Sequence, residues 1–486
     1  GGLQNVTIYD TTLTPSEISS LYTFSTTYTG AVELPTPIAY HDLVNTSGKD
    51  GIGNLDFTTV SNCHVTQYGS PDGSSNCLSM SHNGYMNLSA NPTSLGYSDA
   101  YTFNIWAKFD SLRTGLWGNW VMNWRGTSAT PKFAQITYSS ENTNGPTEKF
   151  FGSDNDFSNT ISADAIQPEI DRWYMLTLTQ DSSENESRFY VDGVLQGTGT
   201  PVNSTFPNSN LNLTLGVASW SFSFDETKFA GSLFGNGMWN TQLSPPDISW
   251  LYNSGAGRRS AELLPKPPIE NLKSWYEFEQ DATDSHSGGY DLTSIGVTHD
   301  TGAFGNGNGA VFGSSNSSIK GTASFPTGAF TLACWFKPNA SDPSGAGYGL
   351  VGSWLGEGNQ RKSLLYIEGS GRARFLVSGN GSSATSPYAE TSSQYLTPQT
   401  WYHLAGVYDP VNLKHKLYIN GDLVASQPAP STLAVTSNHL EIGTWNDGYA
   451  TSNASGVIDD ACVFDKALNL QELRWLASSE GKYQNL

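Results

Sequence analysis

Acidic residues are the first candidates for chemistry, because paired carboxyl groups about 5–5.5 Å apart are what retaining hydrolysis of a glycosidic bond requires. On one strand they would sit at alternate positions, as Glu-x-Asp-x-Glu or Glu-x-Asp-x-x-Glu, and neither pattern occurs. The nearest cluster, Glu277-Phe-Glu279-Gln-Asp281, falls where the other half of the chain has His41 to Leu43, and reads as a solvated strand edge. The eight histidines are scattered, and no Ser/His/Asp arrangement stands out by spacing. The expectation is a non-enzyme. Four cysteines, none in a Cys-x-x-Cys pair, argue against zinc and thioredoxin-like chemistry. What remains for recognition is aromatic. Trp124 and Trp354 occupy matching places in the two halves, as do Trp220 and Trp445. An exposed indole face stacks on a sugar ring, whereas a buried one caps a core.

The elements that must position these residues emerge when the chain is laid on itself. Tyr101-Thr-Phe-Asn-Ile-Trp106-Ala-Lys108 matches Phe330-Thr-Leu-Ala-Cys-Trp335-Phe-Lys337. Trp173-Tyr174-Met-Leu176, leading to Phe189-Tyr190-Val-Asp192-Gly193, matches Trp401-Tyr402-His-Leu404, leading to Leu417-Tyr418-Ile-Asn420-Gly421. Leu213-Thr-Leu215-Gly216 matches Leu440-Glu-Ile442-Gly443. Gly231-Ser-Leu233, with Met238-Trp239 and Leu243 behind it, matches Gly456-Val-Ile458, with Val463-Phe464 and Leu468. That last block occurs a third time at the start, as Gly2-Leu3, Ile8-Tyr9-Asp10 and Leu13. A closing strand has no reason to open a protein, so 1–30 is expected to be the end of a preceding domain plus linker. Two complete domains, 31–262 and 263–486, follow. Closely spaced prolines at both joints predict extended, semi-rigid backbone there.

Within each repeat, Tyr101, Phe103 and Ile105, or Phe330, Leu332, Cys334 and Phe336, alternate along a strand and point inward. Asp192-Gly193 and Asn420-Gly421 predict type I′ hairpins. The stretches 243–251 and 468–476 read as helices with Ser244 and Asn469 as N-caps. Aromatic content of 12% is enough for large cores, and only 14% of residues are charged. The net charge of −20, from 24 basic and 44 acidic residues, makes nucleic acid and anionic lipid poor partners. No apolar run approaches bilayer length, so no membrane insertion is expected. The opening Gly1-Gly2-Leu3, without Met, reads as a processed product or a fragment.

The order of these blocks resembles the laminin-G-like/pentraxin-like branch of the concanavalin A-like lectin/glucanase superfamily. The resemblance covers nearly all of 270–486, 35–256 more loosely, and only the terminal motif in 1–22. It implies an all-β fold of tandem concanavalin A-like jelly-roll sandwiches, mostly non-enzymatic and used for binding and adhesion. It also implies that the loops carrying Trp124 and Trp220, or Trp354 and Trp445, neighbour each other beside a calcium site. Trp445-Asn446-Asp447-Gly448 is similar to the acidic calcium loop of pentraxin-like domains, with Asn359 facing it. Asp459 and Asp460 add carboxylates where the first repeat has Phe234-Gly235. An extracellular setting leaves two options for the cysteines: disulfides Cys63–Cys77 and Cys334–Cys462, or four buried thiols. The functional expectation is an extracellular binding or surface-coating protein of a cell surface, filament or virion, gripping glycan, a neighbouring protein, copies of itself or other subunits. A purely structural spacer and a glycoside hydrolase are the alternatives.

Overall fold

The computed structural model describes residues 34–481, apart from 113–118, 126–131, 140–148, 155–158, 165, 167, 202–208, 218–228, 287–288, 314–316, 340–346, 383–387, 436–437 and 447–450. The segment 1–30 expected to end a preceding domain lies outside the described residues. The chain divides into two compact units, one running to Arg259 and the other from Ser260, with Gly51–Gly53 grouped with the second. The joint opens with a short helix, Ser260–Leu263, ahead of the prolines, so it is not extended throughout.

Each unit stacks two antiparallel layers. In the first unit, one layer runs in the order Val194–Gly199, Glu186–Val191, Trp173–Asp181, Ala100–Phe109, Gly231–Trp239. The other runs Leu211–Leu215, Asn119–Arg125, Lys132–Ser139, Lys149–Asp154, Asn159–Ser162. A single 14-residue strand, Cys77–Ala90, joins the layers: Leu78 to Met80 pair with Gly231–Trp239, and Met86 to Ala90 pair with Leu211–Leu215. A strand that changes sheets in this way makes the corner of a sandwich. The second unit repeats the order with that strand in two pieces, Asn308–Phe312 and Ser318–Gly321, so its layers are separate sheets.

The alternation read from the sequence supplies the cores. Tyr101, Phe103, Ile105, Ala107 and Phe109 lie in one cluster, and Phe330, Leu332, Cys334 and Phe336 in the other. Burial of this apolar surface is the main force holding the layers together. Asp192-Gly193 and Asn420-Gly421 both have two consecutive positive φ values, +52° and +78°, and +51° and +78°, as type I′ turns demand. Each turn also clips the neighbouring strand. The Asp192 carboxylate accepts the Met175 N–H at 2.9 Å, and the Asn420 amide oxygen accepts the His403 N–H at 2.9 Å. Ser244 and Asn469 cap helices Pro245–Tyr252 and Leu470–Leu476 in reciprocal capping boxes with Asp247 and Glu472.

The second unit buries two histidines. Burial pushes His403, packed edge-on against Trp335, down to about 3, and His415, which accepts the Ala389 N–H, down to about 4. Both values lie below those of the unfolded chain, so the unfolded state takes up the protons first and stability falls with pH. Each histidine should cost about 1.4 kcal/mol per pH unit, from about pH 6.5 down towards its folded value. Calorimetry from pH 7 to pH 5 should show the second unit's transition moving down, and His415→Gln should flatten that dependence.

Candidate functional site

A strand of the second layer gives alternate residues to the core, and the others must face away from it. In the second unit the inward set includes Leu350, Val351, Leu365, Ile367, Phe375 and Val377. The outward set does not simply meet water. Trp354, Leu364, Tyr366 and Leu376 form a cluster of their own, with the half-buried Tyr388 and Trp445 packed against it. Trp445 arrives on the short strand Thr444–Asn446, which lies against the sheet at Gly349. A Cβ there would sit 2.4 Å from the Thr444 carbonyl oxygen, so only glycine permits that approach. The Trp445 ring lies 5.7 Å from that of Tyr366.

One cross-strand row continues from Gly349 through Tyr366 and Arg374 to Glu390. Arg372 Nη1 and Arg374 Nη2 both donate to Glu390 Oε1, at 3.1 and 3.0 Å. Arg374 also donates to the Tyr366 hydroxyl at 3.3 Å and lies 5.2 Å over the Tyr388 ring. The Ser370 hydroxyl, and behind it the Arg374 guanidinium, hold Glu368 below the usual carboxylate range. Burial pushes the Tyr366 phenol up, so it stays protonated. In the adjoining row Glu441, 3% exposed, lies opposite Gly352 with its Oε1 3.2 Å from His439 Nε2. The result is an aromatic floor bordered by Arg372 and Arg374, which are paired with Glu390 and Glu368. Such a surface can stack on an apolar ring face and hydrogen-bond its substituents.

The two tryptophans matched by sequence do not share a face. Leu215 pairs with Met122 and Ile442 with Val351, so Trp124 is level with Ser353, and Arg125 with Trp354. Both strands bulge at that point. A one-residue offset exchanges the faces. Trp124 is accordingly a core residue, fully buried and edge-on to Tyr97 and Phe103 at 5.6 and 5.8 Å. It is no stacking platform. Trp354, 4% exposed, is the base of the outward cluster and not its open surface. Trp220 lies outside the described residues. Tyr366, Tyr388, Arg374 and Glu390 were missed, although the alternation in Arg372-Ala-Arg374-Phe-Leu376-Val could have exposed the outward set.

The expected closeness of the two loops is present: Leu355 and Asn446 pair in parallel register, and Asn359 follows in an exposed turn. Calcium takes six to eight oxygen ligands. Among the described residues, no group of three or more His, Cys, Asp or Glu side chains could hold a metal ion. Asp447, on which the calcium expectation rests, lies outside the described residues. Asp459 accepts the Ala303 and Asp460 N–H groups at 2.8 and 2.9 Å, which commits it to the backbone. Glu279 accepts from Asn308 N–H, and Asp281 caps Thr283, so that cluster serves turns.

All four cysteines are free. Cys63 lies opposite Met80 and Cys77 opposite Thr66, three positions apart along the ladder, roughly 10 Å and beyond disulfide reach. Cys334 is in the core, whereas Cys462 lies between the inward Ala461 and Val463 and faces the other way. Burial pushes the Cys63 thiol up to about 11.

Trp124→Ala should destabilise the first unit by about 3–5 kcal/mol. Trp445→Ala, at a half-buried edge, should cost the second unit about 1 kcal/mol. Denaturant unfolding of the two variants checks the contrast.

No curated protein matches the chain. Among solved structures, domain 4 of AbnA, a GH43 extracellular arabinanase from Geobacillus stearothermophilus solved with arabinotriose, is similar at 18% identity and TM-score 0.34, over 43% of this chain and 98% of that one. The binding domain of Paraclostridial Mosquitocidal Protein 1 is similar at 18% identity and TM-score 0.36, over 44% and 53%. The ligand-binding domain of botulinum neurotoxin serotype D, solved with N-acetylneuraminic acid, is similar at 15% and 0.33, over 44% and 52%. The match spans about half the length of these two toxin domains. The profile of the concanavalin A-like lectin/glucanases superfamily matches residues 81–249 and 311–474, one stretch in each unit. With more than half of its length matched, and two-layer sandwiches in both units, the chain belongs to the concanavalin A-like lectin/glucanases superfamily as a tandem of laminin-G-type domains.

Proposed function

We propose that this chain is a non-enzymatic, extracellular glycan-binding module, and that the outward cluster of the second unit is its recognition face. One observation carries the reading. A folded sheet has no need to build a second aromatic cluster on the side away from its core, yet Trp354, Tyr366, Tyr388 and Trp445 gather there beside paired Arg372, Arg374 and Glu390. Trp445 and Tyr388 are the half-buried members and so the ones available to stack, with Trp354 and Tyr366 beneath them. The carboxylates nearest to a hydrolytic pattern are occupied by backbone amides, which supports binding over catalysis. Display on a cell surface, filament or virion, as an adhesin or coat, is part of the same proposal.

A glycan panel probed with the full chain tests this. Trp445→Ala should weaken binding about tenfold, roughly 1.4 kcal/mol, while leaving the fold intact. No binding to any glycan would favour a structural spacer, and release of reducing sugar would favour an enzyme. Calcium at the rim of Asn359, Asn446 and Asp447 is a separate proposal. A chelator should then lower the second unit's melting temperature, and Asp447→Asn should remove the difference.

A further inference from the structure

The first layer of each unit also has an outward side, and one end of it reaches solvent. In the second unit Leu332, Cys334 and Phe336 face the core, so Trp335 and Lys337 face away from it. Lys337 Nζ lies 5.2 Å over the Trp401 ring and 3.9 Å from Asp300 Oδ2. The Phe304 ring stands edge-on against Trp335 at 4.8 Å. Phe304 is 50% exposed, Asp300 is exposed, and Lys337 and Trp401 are half-buried beside them. The first unit repeats the plan. Lys108 Nζ lies 5.7 Å over the Trp173 ring, both half-buried. Gly231 faces Met80 where Gly456 faces Phe312, so the hairpin after Thr66 corresponds to the one after Thr301. Its tip carries Tyr68, 74% exposed. Tyr68 adjoins Gly69, which packs on the Cys77 thiol within range of the Lys108 charge.

Both aromatics sit where the backbone disfavours them. Tyr68 has φ +51° and Phe304 has φ +59°. In that left-handed region the Cβ crowds a carbonyl oxygen, so glycine and asparagine are the usual occupants. Tyr68 recovers little of this cost by packing. The two loops, 67–76 and 302–307, differ in sequence and are held by different means. In the first, Asp72 accepts from the Ser70 hydroxyl at 2.7 Å and from the Ser74 N–H at 3.0 Å. In the second, the buried Asp459 accepts the Ala303 N–H, and the Gly302 N–H donates to the Gly307 carbonyl at 3.1 Å. Two unlike loops thus present an exposed aromatic in the same strained conformation, which packing alone does not account for.

We propose that these hairpin tips form a second sugar-binding edge, one in each unit, where a neutral sugar residue stacks on Tyr68 or Phe304. An aromatic face suits the apolar C–H side of a sugar ring. Beside Phe304, Asp300 accepts from a hydroxyl and Lys337 donates to one, so adjacent hydroxyls of one ring find both kinds of partner. That pair carries no net charge, and the chain's net charge of −20 disfavours an acidic sugar. Loops already held in place lose little further freedom on binding. This edge rests on the same glycan reading as the Trp445 face but shares none of its residues.

The parent chain and full-length Trp445→Ala are titrated calorimetrically with neutral trisaccharides and with a uronate trisaccharide. A neutral trisaccharide should still bind Trp445→Ala, and the uronate should bind at least about tenfold more weakly. Adding Tyr68→Asn and Phe304→Asn should weaken the remaining binding about tenfold. Asparagine suits this backbone, so Tyr68→Asn should melt no lower than the parent. Tyr68→Phe, which keeps the ring, should bind as the parent does. The proposal is overturned if the folded Asn variants bind unchanged, if the uronate binds as well as the neutral sugars, or if no neutral trisaccharide binds Trp445→Ala. In that last case, binding by the parent leaves the Trp445 face standing, and none by the parent removes the glycan reading as well. Binding that survives Trp445→Ala and is lost in the Asn variants supports this edge against the Trp445 face.

Discussion

A strand can give only every second residue to a core, and both units depend on how their second layer uses the remaining half. The first layer is simpler, because its long strands Ala100–Phe109 and Phe330–Pro338 are buried along almost their whole length. In the second layer the outward side chains form organised surfaces. One unit builds an aromatic cluster with paired arginines and glutamates, and the other a line of carboxamides and hydroxyls. The inward sets, by contrast, are interchangeable in kind: leucine, isoleucine, phenylalanine and tyrosine fill both cores.

The parts that hold each sandwich in register are duplicated closely. Asp50 accepts the N–H of Tyr40 in the opening strand of one unit at 3.0 Å, and Asp284 accepts that of Trp275 in the other at 2.9 Å. The N–H groups of Asp50 and Asp284 donate in turn to Asp56 and Asp291, each at 2.9 Å. The Asp192 and Asn420 turns and the Ser244 and Asn469 caps repeat the same economy. Each of these polar residues satisfies backbone groups that would otherwise be left unpaired at an element's end. Because such devices anchor strands from their ends, the outward faces between them are free to differ.

Polar and apolar closure are balanced differently on those faces. Leu364 and Leu376 close one part of the second unit's sheet at no polar cost, while Arg374 and Glu390 beside them are mutually paired. At the level of Leu364 the first unit holds Gln135, a buried amide whose Nε2 finds no hydrogen-bond partner among the described residues. Such a local penalty counts, since net stability is only a small margin over opposing terms.

How much was legible followed the range of the interactions. The repeat, the two-sandwich architecture, the inward faces of Tyr101 to Ile105 and Phe330 to Phe336, the Asp192-Gly193 and Asn420-Gly421 turns, and the Ser244 and Asn469 caps are local. Alternation, positive φ and N-terminal N–H groups are settled within a few residues, so sequence by itself determined them. The site was not local. Trp124 and Trp354 look equivalent in sequence, but the level of each is set by pairing with Leu211–Leu215 or Leu440–Ile442, about 90 residues further on. The cysteines needed the same information: Cys63 and Cys77 are kept apart by ladder register, and Cys334 and Cys462 by facing opposite sides of one sheet. Tertiary structure alone decided these matters, because the face a side chain occupies depends on which strand lies beside it and where each ladder bulges, and neither is encoded within the strand itself.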